Sequence, residues 1–482
     1  SAHDLWLWEV PMTQWPSVAL PPRLPLVVTT SNRDSSTSKD AKLVNCYTET
    51  DAATGELYII KRPGLASAGV IADGQLGQGA YFWQGHTYTI FNGTLYRDGV
   101  SVGTGLNVTG GTYQWSSILG AIPKLVFNNG KQGYAYWDVG GVTANLHSIN
   151  ISYPETTVKG WAYLNGPEYV MDLFSVIWGS AINSVSVAGD WDALNFIRAQ
   201  IEPDGGVCMA KQLVYAIALK QWSTEVFFDA GNAVGSPLGP VEGSKISYGC
   251  ANADSVQSIE DVLLWVTTNR TASVQIGMMA QLAFKVVSTK YIEKLLADVD
   301  TSVVFSWQLK LDGHNFYVVT FKNSNLTLAY DIAEDRWHQW TDANGNYFPI
   351  VASTYDSQGR HVLQHESNGR LYYASSDYTK DLNDVIPVEL VTPIFDANTH
   401  RIKSNMIMNF VGDQQTGSIL LVSKSDDDYQ TWSKPRQVNL GRDNPQLNNN
   451  GTFRKRAYKF QHSQDCRLRL KAVEIQYDIG TL

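Results

Sequence analysis

His361 and His365 stand four residues apart, and Glu366 follows directly. On a helix that spacing puts two imidazoles on one face, the arrangement a zinc site uses. Here Val362 and Leu363 lie between them and Asn368-Gly369 follows as a hairpin turn, so the run reads as a strand. Residues four apart on a strand lie about 13 Å from each other, too far to share a metal. The 46 acidic residues allow carboxylate pairs to be drawn anywhere, and nothing singles out the two that glycoside hydrolysis needs. There is no GxSxG elbow, no P-loop and no dinucleotide fingerprint. Cys46, Cys208, Cys250 and Cys466 are widely separated, with no CxxC or Cys/His spacing, so isolated buried thiols are expected. These residues predict no catalytic centre, no cofactor and no metal.

Basic residues concentrate only near the C-terminus, as Arg454-Lys455-Arg456 and then Arg467, Arg469 and Lys471. In residues 466–472 (CRLRLKA) the alternation puts the three cations on one strand face and Leu468 and Leu470 on the other. A row of cations repels itself unless it is solvated or paired. The row is therefore either a solvated face or a docking strip for an acidic neighbour, an identical subunit included. The run Ser425-Asp426-Asp427-Asp428-Tyr429-Gln430-Thr431-Trp432 resembles the Asp-box hairpin of sialidases and related propellers, with Tyr429 where the glycine belongs. In those proteins the box is a structural turn, so an acidic hairpin tip is expected here.

The elements that position these residues follow from composition and pattern. The chain has 482 residues, enough for two or more domains. It is 44% hydrophobic but only 17% charged, with 15 Trp, 24 Tyr and 39 Gly. That balance argues against disorder, coiled coil and a helix-rich enzyme, and favours β structure. A net charge of −9 argues against tight binding to phosphate backbones over a broad surface. No apolar run approaches the roughly 20 residues of a membrane span, and the proline-interrupted start has no signal-peptide pattern. A soluble, intracellularly made product without stable membrane insertion is expected.

Residues 1–40 read as an extended arm, with Trp6, Trp8 and Trp15 among prolines that exclude helix. Those tryptophans must dock, on their own domain or on a neighbouring subunit. From 41 to 385, short aromatic and β-branched runs alternate with turns such as Gln84-Gly85, Asn92-Gly93 and Asp98-Gly99. The copies recur about every 40 to 50 residues, the period of propeller blades. A β-propeller of about six or seven blades is expected, with one inserted helix near 288–299, where Ile292, Leu295, Leu296 and Val299 share a face. Longer strands after about residue 386 predict a second, sandwich-like all-β domain reaching 482.

Several segments, in order, are similar to the nozzle, or packaged-DNA stabilisation, proteins of short-tailed bacteriophages. They are Leu43–Tyr47, Tyr58–Leu65 with Arg62-Pro63-Gly64, Ile201–Val207 with Pro203-Asp204-Gly205, Thr224–Phe228, Ile292–Leu296 and the Arg454–Lys459 and Arg467–Leu470 strands. The Trp/Pro arm departs from that pattern. The resemblance implies a non-enzymatic virion protein, assembled in the host cytoplasm, forming a homo-hexameric ring at the distal end of the tail. The ring would extend the portal–adaptor channel, retain packaged DNA and pass it without gripping during ejection. Its expected partners are the tail adaptor, a tail spike or fibre, and a needle or plug. Trp6, Trp8, Trp15, Arg454, Lys455, Arg456, Arg467, Arg469 and Lys471 are the expected contact residues. The alternative is a propeller that binds or hydrolyses glycans.

Overall fold

The computed structural model describes residues 20–26, 41–130, 132–137, 145–149 and 152–481. The arm's Trp6, Trp8 and Trp15 lie outside them. The expected hairpins form for the expected reason. Gln84-Gly85, Asn92-Gly93 and Asp98-Gly99 all take positive φ at both positions, the left-handed pair that lets a two-residue turn follow the twist of its strands. Each hairpin adds to the next in antiparallel register, and the result is a circle of small twisted sheets.

Seven blades can be followed among the described residues, in line with the expected count. Four are contiguous meanders, at residues 77–103, 114–149, 162–198 and 206–240. The fifth, 249–286, has its innermost strand split into Gly249–Cys250 and Gln257–Ile259 around a short 3-10 turn. The sixth is Val304–Gln339. The seventh is not contiguous in sequence. Ile350–Tyr355, His361–His365 and Arg370–Ser375 supply three strands, and Gly64–Val70 closes the ring as the fourth. Pairing Gly64–Val70 to the last blade closes the ring by joining its first and last strands.

One correction concerns residues 42–61, expected to open the propeller. They belong to the C-terminal sandwich. Lys42–Val44 runs antiparallel to Val388–Val391, and Leu57–Lys61 pairs with Arg469–Ile479. Lys42–Val44 also pairs in parallel with Arg336–Gln339 of the sixth blade. One sheet therefore runs without a break from blade to sandwich. The second sandwich sheet carries Cys46–Thr50, Leu57–Lys61, Arg469–Ile479, Lys403–Gly412 and Gln446–Asn448. The core between the two sheets holds Leu43, Ile59, Leu390, Met408, Phe410, Val422, Phe460, Leu470 and Ile475. Leu24 is buried in that same core, and the backbone of 22–24 bonds to Val473 and Ile475. This stretch of the arm thus docks on its own chain.

The helix is Lys290–Leu296, shorter than expected. Thr289 caps it by accepting from the Ile292 amide, and Tyr291, Ile292 and Leu296 are buried against the fifth and sixth blades. Among the described residues no helix is long and apolar enough to cross a membrane.

Candidate functional site

The propeller axis is crossed by charge. Lys159 precedes the third blade, and its Nζ lies 2.5 Å from Asp254 Oδ1 on the short turn of the fifth. Thr112 Oγ1 donates to the same oxygen at 2.8 Å, and Lys159 also donates to the Thr112 carbonyl at 2.9 Å. Ser306 of the sixth blade donates to the Asp254 carbonyl. Groups from around the ring thus meet near one end of the axis and form a floor. Separately, residues of the first five blades line an open cavity of about 520 Å³. The exposed Lys211 and Glu260 are among its lining residues.

Glu168 stands at the head of the buried strand Glu168–Met171 and is 0% exposed. Ser116 Oγ, on the cavity wall, donates to its Oε1, and the backbone amide of Glu168 donates to Ser180 Oγ at 2.9 Å. Its Oε2 has no hydrogen-bond partner, and neither has the buried Trp161 Nε1 beside the same cavity. Burial pushes the Glu168 carboxyl up to about 8, against the opposing pull of the Ser116 hydroxyl and the Lys211 charge. No sequence pattern announced Lys159, Asp254 or Glu168. The only signal was a charged residue heading an apolar strand.

The residues that carried the family resemblance turn out to be joints. Arg62, fully buried, donates to both oxygens of Asp381 at 3.0 and 2.6 Å, to Asn45 Oδ1 at 3.0 Å and to the Thr341 carbonyl at 2.9 Å. Asn45 Nδ2 donates to Thr341 Oγ1 and the Pro387 carbonyl. Sandwich, sixth blade and seventh blade are therefore locked at one point. In the fourth blade, Asp204 and Glu225 flank the buried Lys220 Nζ at 2.9 and 2.7 Å. The Pro-Asp-Gly and Thr-Glu segments meet there.

The C-terminal cations are placed as the alternation requires. Arg467, Arg469 and Lys471 face outward, while Leu468 and Leu470 are buried. Each has a partner inside the chain: Asp377 at 2.6 Å for Arg467, Asp413 at 3.9 Å for Arg469, and Glu56 for Lys471. The Arg469 guanidinium also lies 4.0 Å from the Tyr58 ring centre. Arg467 and Arg469 border a cleft of about 340 Å³ that also touches Tyr47, Asp312 and Tyr378. Arg454, exposed, donates to the His400 carbonyl, and Lys455 pairs with Asp428. Arg456 departs from expectation. It is 1% exposed, holds both oxygens of Asp426 and packs over Phe453, so it serves the interior rather than a contact surface.

His361 and His365 lie on one strand; His361 packs on Tyr355, and His365 Nδ1 accepts from the Ser367 and Asn368 amides. Among the described residues, no group of three or more His, Cys, Asp or Glu could hold a metal. The Asp-box segment is a hydrogen-bonded turn. Asp427 accepts from the Ser425 and Thr431 hydroxyls and the Thr431 amide, which holds its carboxyl down at about 2. All four cysteines are free and buried.

The fold is a β-propeller continuous with a β-sandwich, with its conspicuous buried charges used as internal joints. The chain belongs to the Phage_stabilise family, described as Bacteriophage P22 Gp10, beta-propeller, whose model matches residues 23–378. No curated protein matches the sequence. Among solved structures, the N-terminal domain of Nup159 is 10% identical, covers 70% of this chain and 99% of its own, with a TM-score of 0.38. YCF48 from Cyanidioschyzon merolae is 12% identical, covers 65% of this chain and 100% of its own, with a TM-score of 0.39.

Proposed function

We propose that this chain forms the distal nozzle ring of a short phage tail, a homo-hexamer that extends the portal–adaptor channel, retains packaged DNA and passes it during ejection. The observation that carries this reading is the family match over residues 23–378. The fold supports it in two ways. Lys159 and Asp254 cross the propeller axis, so a duplex roughly 20 Å wide cannot thread a single chain and its route must lie between copies. The chain is acidic at −9 and its exposed cationic row is paired internally, so a wall built from it repels phosphates and lets DNA slide. Arg454, Lys455, Arg467, Arg469 and Lys471 then serve subunit or adaptor contacts, together with Trp6, Trp8 and Trp15. A spike or fibre and a needle or plug complete the assembly in the virion.

Native mass spectrometry with particle images tests this. Six-fold rings with an axial channel wider than roughly 20 Å are expected. Particles that stay monomeric, or rings too narrow for duplex DNA, refute it. In a gel shift at physiological salt the protein should not bind DNA tightly; submicromolar, salt-sensitive binding would replace the sliding conduit with a clamp.

A further inference from the structure

The fourth blade seals a lysine against two carboxylates. Lys220 ends the strand Tyr215–Lys220, and Glu225 lies on the next strand, Thr224–Asp229. Asp204 lies in the segment that links the third blade to the fourth. Lys220 Nζ stands 2.9 Å from Asp204 Oδ1 and 2.7 Å from Glu225 Oε1, and the lysine, aspartate and glutamate side chains are 0, 0 and 3% exposed. The same nitrogen donates to the Ala199 and Glu202 carbonyls of the linking segment at 3.0 and 2.8 Å, which fixes its position. Asp204 Oδ2 accepts from two successive backbone amides, those of Trp222 and Ser223, at 2.8 and 2.9 Å. Ser223 Oγ donates to Oδ1 at 2.9 Å. Other buried cations differ. The Lys159–Asp254 pair is partly exposed, and the ammonium groups of Lys61 and Lys403 are held by backbone carbonyls.

An amine and a carboxyl held in contact away from water are set up to condense, because fixed orientation replaces a chance encounter and water is kept from the reverse step. Two further groups are needed: one to carry protons, and one to steady the oxygen that gains charge when the carbon is attacked. Glu225 touches the attacking nitrogen, and the Trp222 and Ser223 amides already sit on Asp204 Oδ2. We propose that Lys220 and Asp204 join in an isopeptide bond, a covalent staple between the linking segment and the second strand of the fourth blade. Nζ gives a proton to Glu225 and attacks Asp204 Cγ. The Nζ–Cγ bond forms and the Cγ–Oδ1 bond breaks. Of the three ammonium hydrogens, one stays on the amide and two leave with Oδ1 as water. Glu225 relays those two and ends as the carboxylate it began as. Oδ2 becomes the amide carbonyl and keeps both backbone donors. Nothing is oxidised or reduced, and no second molecule takes part. Two of the three buried charges disappear. The bond forms within one chain, so it stands or falls apart from the ring.

The test uses the full chain, purified folded, then denatured and weighed by electrospray mass spectrometry. The mass should fall about 18 Da below that of the sequence, one water lost on amide formation. Asp204 precedes Gly205, and a succinimide at that Asp–Gly step loses the same water, so a tryptic digest locates the loss. Trypsin should fail at Lys220, and residues 199–211 should stay joined to residues 212–245, with fragment ions placing the link at Asp204 and Lys220. Lys220→Arg keeps the charge without a reactive amine, and Glu225→Gln keeps the shape without a proton acceptor. Both variants should show the full sequence mass and separate peptides. A parent chain of full mass that trypsin cuts at Lys220 overturns the proposal, and this reading needs no variant to fold. A missing water that persists in Lys220→Arg overturns it equally, and a link that forms as fully in Glu225→Gln overturns the proton relay.

Discussion

Glu168→Gln should make the protein more stable at alkaline pH and no more stable at acid pH. In the folded chain burial holds the Glu168 carboxyl up at about 8, while in the unfolded chain it titrates near its model value of 4.5. Between those values the folded state carries a proton that the unfolded state has released. Stability therefore falls as pH rises through that window, and the loss is complete above about pH 8. At about 1.4 kcal/mol per pH unit the swing approaches 5 kcal/mol. The groups nearest in effect are the Ser116 hydroxyl and Lys211, both of which oppose the upward shift, and Tyr81, whose own hydroxyl is raised first by burial and then by Glu168. Glutamine has no charge to desolvate, so the variant's curve lacks this slope. A two-part molecule of 482 residues need not unfold in one step. The quantity to read is accordingly the difference between variant and parent in the same urea transition, measured from pH 5 to pH 9. At pH 5 the variant should match the parent or fall slightly below it. By pH 9 it should exceed it by several kcal/mol. Parallel curves, differing by a constant within about 1 kcal/mol, would show that the carboxyl is solvated and refute the burial argument.

Lys220→Met should destabilise the fourth blade by about 3–5 kcal/mol in chemical denaturation, because Asp204 and Glu225 would be left buried without their cation. Gly160 has φ near +101°, and a Cβ there would sit 1.8 Å from the Met209 carbonyl oxygen. Gly160→Ala should accordingly cost about 3–5 kcal/mol by urea titration and expose the fourth blade to limited proteolysis. Charge reversal at Arg467 and Arg469 should shift monomer stability by no more than about 1 kcal/mol, since the Arg467–Asp377 pair is exposed on both sides, yet impair ring assembly in native mass spectra. Normal assembly of the doubly reversed chain at physiological salt would remove those residues from the interface.

Local pattern alone determined the hairpins, the helix and the strand alternation. A two-residue turn at Asn92-Gly93 depends on φ values those two residues favour, and the 467–471 alternation depends only on the two-residue period of a strand. Thr289 and the Ile292–Leu296 stripe announced their helix in the same way. Tertiary structure decided what depends on partners distant in sequence. Gly64–Val70 could be assigned to the seventh blade only by its pairing with Arg370–Ser375, some three hundred residues on. Likewise, residues 42–61 look like any other aromatic hairpin until Arg469–Ile479 lies beside them. Charge was the least legible feature. Arg456 and Arg467 sit in similar basic runs, yet the first is sealed in the sandwich against Asp426 and the second stands in solvent. Whether a side chain keeps its water depends on what the rest of the chain packs around it, and no window of neighbouring residues contains that information. The Lys159–Asp254 pair likewise exists only because tertiary structure brings the segment before the third blade against the fifth.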